Sequence, residues 1–176
     1  LAQGEAGARD FAVPADAGMA GGEEGWREVH PLLVEPFVAV APKGRGTTGL
    51  PLILYTARHL MGRQIAAHLA RQNMGQAARF ELDSYNAILA MVAEGEGWTI
   101  LTPLALHHAA RFQAAVEVLP LPMDPISRTL SLSARSGVLQ DMPGQIAARL
   151  RGLIGDMVVG PMVQRMPWAK GELRVL

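Results

Sequence analysis

At 176 residues and 49% hydrophobic composition, the chain is long enough to bury a sizeable core as one domain or two small lobes. Its 16 Lys and Arg balance its 16 Asp and Glu, which argues against a nucleic-acid-binding surface on these residues, normally a basic one. It has no cysteine, so a disulfide framework and a thiolate metal site are excluded. No apolar stretch approaches the ~20 residues of a membrane span.

Residues 1–25 are rich in Gly, Ala and acids, with a short strand expected within Arg9–Val13 and a mobile loop from Pro14 to Gly25. The chain starts at Leu1 without a charged-then-apolar signal segment, so it reads as part of something longer. Val29–Leu33 and Pro36–Ala41 are expected strands, the second bracketed by Pro36 and Pro42. Lys43 to Gly49 is Gly-rich and reads as a linker between lobes. Leu50–Leu54 is the next apolar strand. A helix follows from about Arg58 to Asn73, burying Leu60, Met61, Ile65 and Leu69.

Residues 78–106 carry the clearest pattern. Ala78–Leu82 is a short strand ending at Asp83-Ser84, either of which caps a helix. Ala87, Ile88, Met91 and Val92 fall on one helical face, and Gly95 and Gly97 stop that helix. Trp98–Leu101 is a compact apolar strand, ended by Thr102-Pro103. Strand–helix–strand at this length is a parallel unit with a right-handed crossover. Ligands of such sheets sit beyond the carboxyl ends of the strands. That points to Asp83-Ser84 and to Thr102-Pro103.

Leu106–Phe112 reads as a short helix and Val116–Leu119 as a strand. Pro120, Pro122 and Pro125 stiffen a second linker. Arg128–Ala134 alternates apolar with polar residues, as a strand with one open face does. A long helix over Met142–Val158 carries Ile146, Leu150, Leu153, Ile154 and Met157 on one face. The tail beyond Gly160 holds Pro161 and Pro167 and is expected to be irregular, with Trp168 able to dock it. Linkers near 42–49 and 120–127 suggest two α/β lobes joined by a two-stranded hinge.

The segments EPFVAVAPKG, LPLILYTARHLMGRQIAAHL, FELDSYNAILAMVAEGEGWTILTPLAL and LPLPMDPISRTLSLSARSG occur in this order before the terminal helix. In that order they resemble the effector-binding domain of LysR-type transcriptional regulators, and Leu1–Val13 resembles that family's helix-end and strand. The resemblance implies a two-lobed fold of the type 2 periplasmic-binding-protein kind, with mixed sheets flanked by helices. It assigns 1–46 and 128–176 to a first, N-terminally incomplete lobe and 47–127 to a second. The family's winged helix-turn-helix has no counterpart in these residues. DNA is therefore implied as a partner only through that absent domain, together with a small-molecule effector, a homodimer or homotetramer, and a cytoplasmic location.

Thr56, Ala57, Arg58 and His59 lie where a helix starts after a strand, where free N–H groups and the helix dipole favour anions. Arg58 can pair a carboxylate bidentately. The resemblance implies effector contacts from these four, although the segment is bulkier than the small polar residues usual in the family. The other reading is a capped helix with Arg58 and His59 in solvent. Asp83, Ser84 and Tyr85 border the same crevice, with Asp83 read as a cap alone. Thr102 offers a hydroxyl, and Thr102-Pro103 otherwise simply ends the strand. Ser84, Thr102 and Pro103 therefore join the candidate effector site.

No catalytic set, cofactor site or metal site is expected. His107 and His108 are adjacent on a helix, about 100° apart, and lack acidic partners at ligand spacing. Gly44-Arg45-Gly46 lacks the ending of a phosphate loop. Met61, Met74, Met91 and Met157 sit at core spacing. Two other functions compete with a sensor: a transporter's solute-binding protein of similar fold, and an enzyme, for which no motif speaks.

Overall fold

The structure is a computed structural model that describes residues 11–12, 27–75 and 77–176. Two sheets account for its strands. The first is built from β1 (Phe11–Ala12), β2 (Arg27–Pro36), β8 (Ser127–Arg135) and β9 (Arg174–Val175), in the order β1-β8-β2-β9 and antiparallel throughout. The second holds β3 (Val38–Pro42), β4 (Leu52–Tyr55), β5 (Ala78–Leu82), β6 (Trp98–Leu101) and β7 (Val116–Leu119), in the order β5-β4-β6-β3-β7. The expected short strand is thus seen at Phe11–Ala12. The loop expected at 14–25 lies outside the described residues.

The second sheet owes its form to apolar runs too short for helices. All five residues of β3 and all four of β6 are buried, as strands covered on both faces must be. β4 runs parallel to both β5 and β6 and lies between them. The unit β5–α2–β6, with α2 at Tyr85–Ala93, therefore steps over β4 rather than joining neighbours. Inside this sheet the Thr99 hydroxyl donates to the Ile53 carbonyl at 2.7 Å, which satisfies a fully buried polar group.

Helix α1 (Leu60–Arg71) buries Met61, Ile65 and Leu69 as its spacing predicts. It is seated against the end of β4 by Gly62. A Cβ at that position would lie 1.9 Å from the Thr56 carbonyl oxygen. Only glycine admits so close an approach of helix to strand end.

The chain passes from the first sheet to the second at Phe37, the single residue between β2 and β3. It returns through 120–126, as the prolines there suggest. The two crossings are bonded to each other, Phe37 N–H donating to the Ile126 carbonyl at 2.9 Å. Residues 43–49, expected to be the first linker, instead form the turn from β3 to β4 within the second sheet. Their glycines, with φ of 77°, 63° and 78° at Gly44, Gly46 and Gly49, mark a tight reversal rather than a hinge. β3 consequently belongs to the second sheet.

Three other expectations are corrected. Leu130 to Ala134 are all buried, Ser131 and Ser133 included, so this stretch of β8 has no open face. The terminal helix buries only part of the expected face, with Ile146, Leu150 and Ile154 packed against the core. In α4 (Met142–Ile154) Pro143 and Ala147 are buried, while Leu153 is 54% and Met157, in the turn after it, 56% exposed. A π-helical turn at Gly155–Val159 then runs without a break into α5 (Gly160–Arg165), and this widened turn stands where Pro161 supplies no N–H to the helix. The tail is ordered as well. Met166, Ala169 and Leu173 are buried, and β9 pairs with β2 at Leu33 and Val34.

Gly62→Ala is expected to destabilise the chain by about 3 kcal/mol or more, because the added methyl meets backbone rather than a side chain that can turn away. At this size each kcal/mol moves the thermal midpoint by roughly 2–4 °C. Gly75→Ala, into open space, is the control and should leave the midpoint almost unchanged in the same thermal unfolding experiment.

Candidate functional site

Strands β4, β5 and β6 are parallel and end together at Tyr55, Leu82 and Leu101. β3 begins at the same edge, Val38 standing opposite Leu101. The crossing at Phe37 is therefore next to the carboxyl ends of these strands. In an open α/β sheet this edge is where a ligand crevice forms.

One buried contact ties the first sheet to this edge. Glu35 and Arg128 are cross-strand partners at the ends of β2 and β8. Glu35 is fully buried, and its Oε1 accepts from Arg128 Nε and Nη2, each at 2.7 Å. The other carboxylate oxygen reaches across to the second lobe and accepts from Leu104 N–H at 3.0 Å. That amide is one of the free donors in the first turn of α3 (Pro103–His108). The negative charge thus also meets the positive end of the helix dipole. Arg128 Nη2 donates to the Thr102 hydroxyl at 3.2 Å. The same hydroxyl accepts from Ala105 N–H at 3.3 Å, capping α3.

Beside this contact stands an aromatic wall. The Tyr55 and Tyr85 rings are 4.5 Å apart, and His59 stacks on Tyr55 at 5.4 Å with planes 23° apart. Burial, and then the neighbouring Tyr55, push the Tyr85 phenol up from 10.0 to about 12. Arg128 lowers it and Glu35 raises it, so the wall and the ion pair lie within each other's field.

The sequence-predicted residues divide into two groups. Thr56, Ser84 and Thr102 spend their hydroxyls inside the fold: Thr56 Oγ1 accepts from Arg58 N–H at 3.3 Å, Ser84 Oγ from Ala87 N–H at 3.2 Å, and Thr102 as described. Thr56 and Thr102 are buried, as is Pro103, which occupies the first position of α3. Ala57, Arg58 and His59 are exposed and form the rim. Ser84 and Thr102 are thus helix caps, whereas Thr56 closes the turn before α1, whose N-cap is His59 with no side-chain cap bond, and open groups come from Ala57, Arg58, His59 and the tyrosines. His107 and His108, the former half-buried and the latter exposed, contact one another edge to face and stand apart from this wall.

Sequence reasoning passed over Glu35, Arg128 and Tyr55. A signal for the first was present: Glu35 is a lone carboxylate within the apolar run LLVEPFVAVA. Such a charge is buried only with a partner. The arginine opening the strand that pairs with it was the nearest candidate.

The LysR substrate binding domain family matches residues 13–143. The chain belongs to this family. No curated protein matches this LysR domain by sequence. Among solved structures it is similar to an OxyR mutant from Corynebacterium glutamicum, at 20% identity and a TM-score of 0.68, over 87% of this chain and 50% of that one. The regulatory domain of MetR from N. meningitidis, a LysR family regulator, aligns at 14% identity and a TM-score of 0.65, over 95% of this chain and 77% of that one. The CcmR regulatory domain of Synechocystis PCC6803, solved in complex with 2-PG, aligns at 18% identity and 0.62, over 82% and 73%. The LysR domain here thus spans half the length of the OxyR chain. At these identities the likeness carries the fold, two α/β lobes of the type 2 periplasmic-binding kind.

Arg128→Met is expected to destabilise this LysR domain by about 3–5 kcal/mol, because it leaves a buried carboxylate with a single amide partner. Glu35→Leu combined with Arg128→Met removes both charges and should be far milder. Urea unfolding of the two variants checks the difference. A single variant no worse than the double would show that the pair is not buried as described.

Proposed function

We propose that this domain is the effector-sensing part of a LysR-family transcriptional regulator. A small organic anion binds between the lobes, bordered by Thr56, Ala57, Arg58, His59, Ser84, Thr102 and Pro103. The observation that carries the reading is the Glu35–Arg128–Thr102 contact at the carboxyl ends of the parallel strands. A ligand seated there touches the groups that join the lobes. Its differential affinity for two lobe arrangements would then shift their equilibrium. Arg58 at the rim favours a carboxylate or phosphate, and the tyrosine wall favours an apolar body.

In this reading the domain acts by binding and not by catalysis. It works in the cytoplasm as a homodimer or homotetramer, and it reaches DNA through a winged helix-turn-helix on the same polypeptide. The lobes are 27–36 with 127–176, and 38–119. Among the described residues no helix is long and apolar enough to cross a membrane. The family match favours a regulator over a transporter's solute-binding protein.

Thermal unfolding against a panel of organic acids, amino acids and aromatic carboxylates tests the ligand. A binder at ~100 times its dissociation constant should add roughly 2.7 kcal/mol. Footprinting of the full-length gene product on its own promoter, with and without that binder, tests the regulator. An altered footprint supports the reading. A binder that leaves the footprint unchanged contradicts it.

A further inference from the structure

On the flank of α1 lies a groove of about 460 Å³ that shares no residue with the tyrosine wall. Arg63, Ala67 and Arg71 recur every four residues, so they lie along one face of the helix. All three are exposed. The opposite wall is the hinge itself, Phe37 from one crossing and Ile126 and Ser127 from the other.

The chemistry of this groove is lopsided. It is lined by two guanidinium groups and no carboxylate. Among the described residues neither arginine has an ion-pair partner. The nearby acids are engaged elsewhere, Asp124 accepting from Gln72 Nε2 at 3.1 Å and Glu35 holding Arg128. Each arginine is tethered through one nitrogen. Arg63 Nη1 donates to the Arg58 carbonyl at 3.0 Å, and Arg71 Nη2 to His68 Nδ1 at 3.5 Å. His68 presents that acceptor because its Nε2–H donates to the Asp124 carbonyl at 2.7 Å. A guanidinium has five N–H donors, so most remain for a ligand. Between the two charges the lining is Ala67, Phe37 and Ile126, with the Gln64 amide and the Ser127 hydroxyl as its neutral polar groups.

The arginine Cα atoms are about 12 Å apart along the helix axis, from the rise of an α-helix. That separation suits two anionic groups held apart better than a single point anion. We propose that this groove binds an elongated organic dianion, with a carboxylate or phosphate at each end of a short apolar body. Such a ligand bridges α1 and both hinge crossings at once, so its binding favours one lobe arrangement. The proposal rests on the sensor reading for this consequence, and on the groove alone for binding.

Isothermal titration calorimetry on this chain at low salt tests it, using succinate, glutarate, adipate and terephthalate, with butyrate, benzoate and inorganic phosphate as one-ended controls. At least one dianion should bind more tightly than every control, and added salt should weaken it. Arg63→Gln and Arg71→Gln should each weaken it roughly tenfold, the scale of one lost charge-assisted contact. Ala67→Glu, which sets a carboxylate between the two cations, should abolish it. These are three exposed positions, so one poorly folding variant leaves two independent tests. The proposal is overturned if no dianion binds, if phosphate binds as tightly as the best dianion, or if all folded variants bind like the parent. Dianion binding that has no effect on the full-length protein's footprint leaves the groove standing and counts against the sensor reading instead.

Discussion

Glu35 is the fixed point of this structure. A carboxylate with no exposed surface is tolerated only where every lone pair finds a donor. Here the donors come from two directions, the Arg128 guanidinium in its own sheet and the Leu104 amide in the other lobe. Moving the lobes apart would strip one of them away. The cost of burying the charge is thereby tied to the angle between the lobes. A buried ion pair of this kind is weak as a source of stability, since desolvation offsets most of the attraction. Its strength lies in specificity, because few arrangements satisfy it.

The surrounding elements serve the same corner. Gly62 lets α1 press on the end of β4 and so fixes the Thr56 turn. Thr102 both caps α3 and meets Arg128, coupling a helix start to the hinge through one oxygen. On the other side of the first sheet, Arg151 of α4 grips the Pro31 carbonyl with Nε at 3.0 Å and Nη2 at 2.6 Å. That carbonyl sits where β2 shifts register against β8, between Pro31 and Leu33. The strand that carries Glu35 is thus held at both ends of its buried stretch. The ordered tail adds a further restraint, with Leu176 N–H donating to the Leu32 carbonyl at 3.0 Å.

Much of this was legible in the chain. The spacing over 78–101 set β5, α2 and β6 close to their observed limits, since alternating and helical periods are local properties. The carboxyl-end rule pointed to the edge of the second sheet where Tyr55, Leu82 and Leu101 end together. What failed were judgements that depend on distant partners. The alternation of apolar and polar residues in β8 suggests an open face, but Ser131 and Ser133 are buried, and burial of a strand's polar face depends on what packs over it. In the terminal helix Ile146, Leu150 and Ile154 pack on the core as their spacing predicts, while Leu153 and Met157 stay exposed, because the apolar residues cover more than one face and only packing chooses among them. The Gly-rich segment at 43–49 looked like a hinge, yet the real crossing is one residue, Phe37, hidden inside an apolar run. Thr56, Ser84 and Thr102 are singled out by position alone, just beyond the carboxyl ends of parallel strands. That Ser84 and Thr102 cap helices and Thr56 closes a turn followed from the same local chemistry. Glu35 and Arg128, 93 positions apart, could be joined only by strand register.

The central claim is that the Glu35–Arg128–Thr102 contact sets how the two lobes sit. The chain has no cysteine, so two can be introduced without interference, at exposed Glu94 in the second lobe and exposed Gln145 on α4. Spin labels on this pair report the inter-lobe distance by double electron–electron resonance. One narrow distribution is expected for the parent, and a shifted or broadened one when Glu35→Gln removes the charge while keeping the volume. Superimposable distributions in the two proteins would contradict the claim.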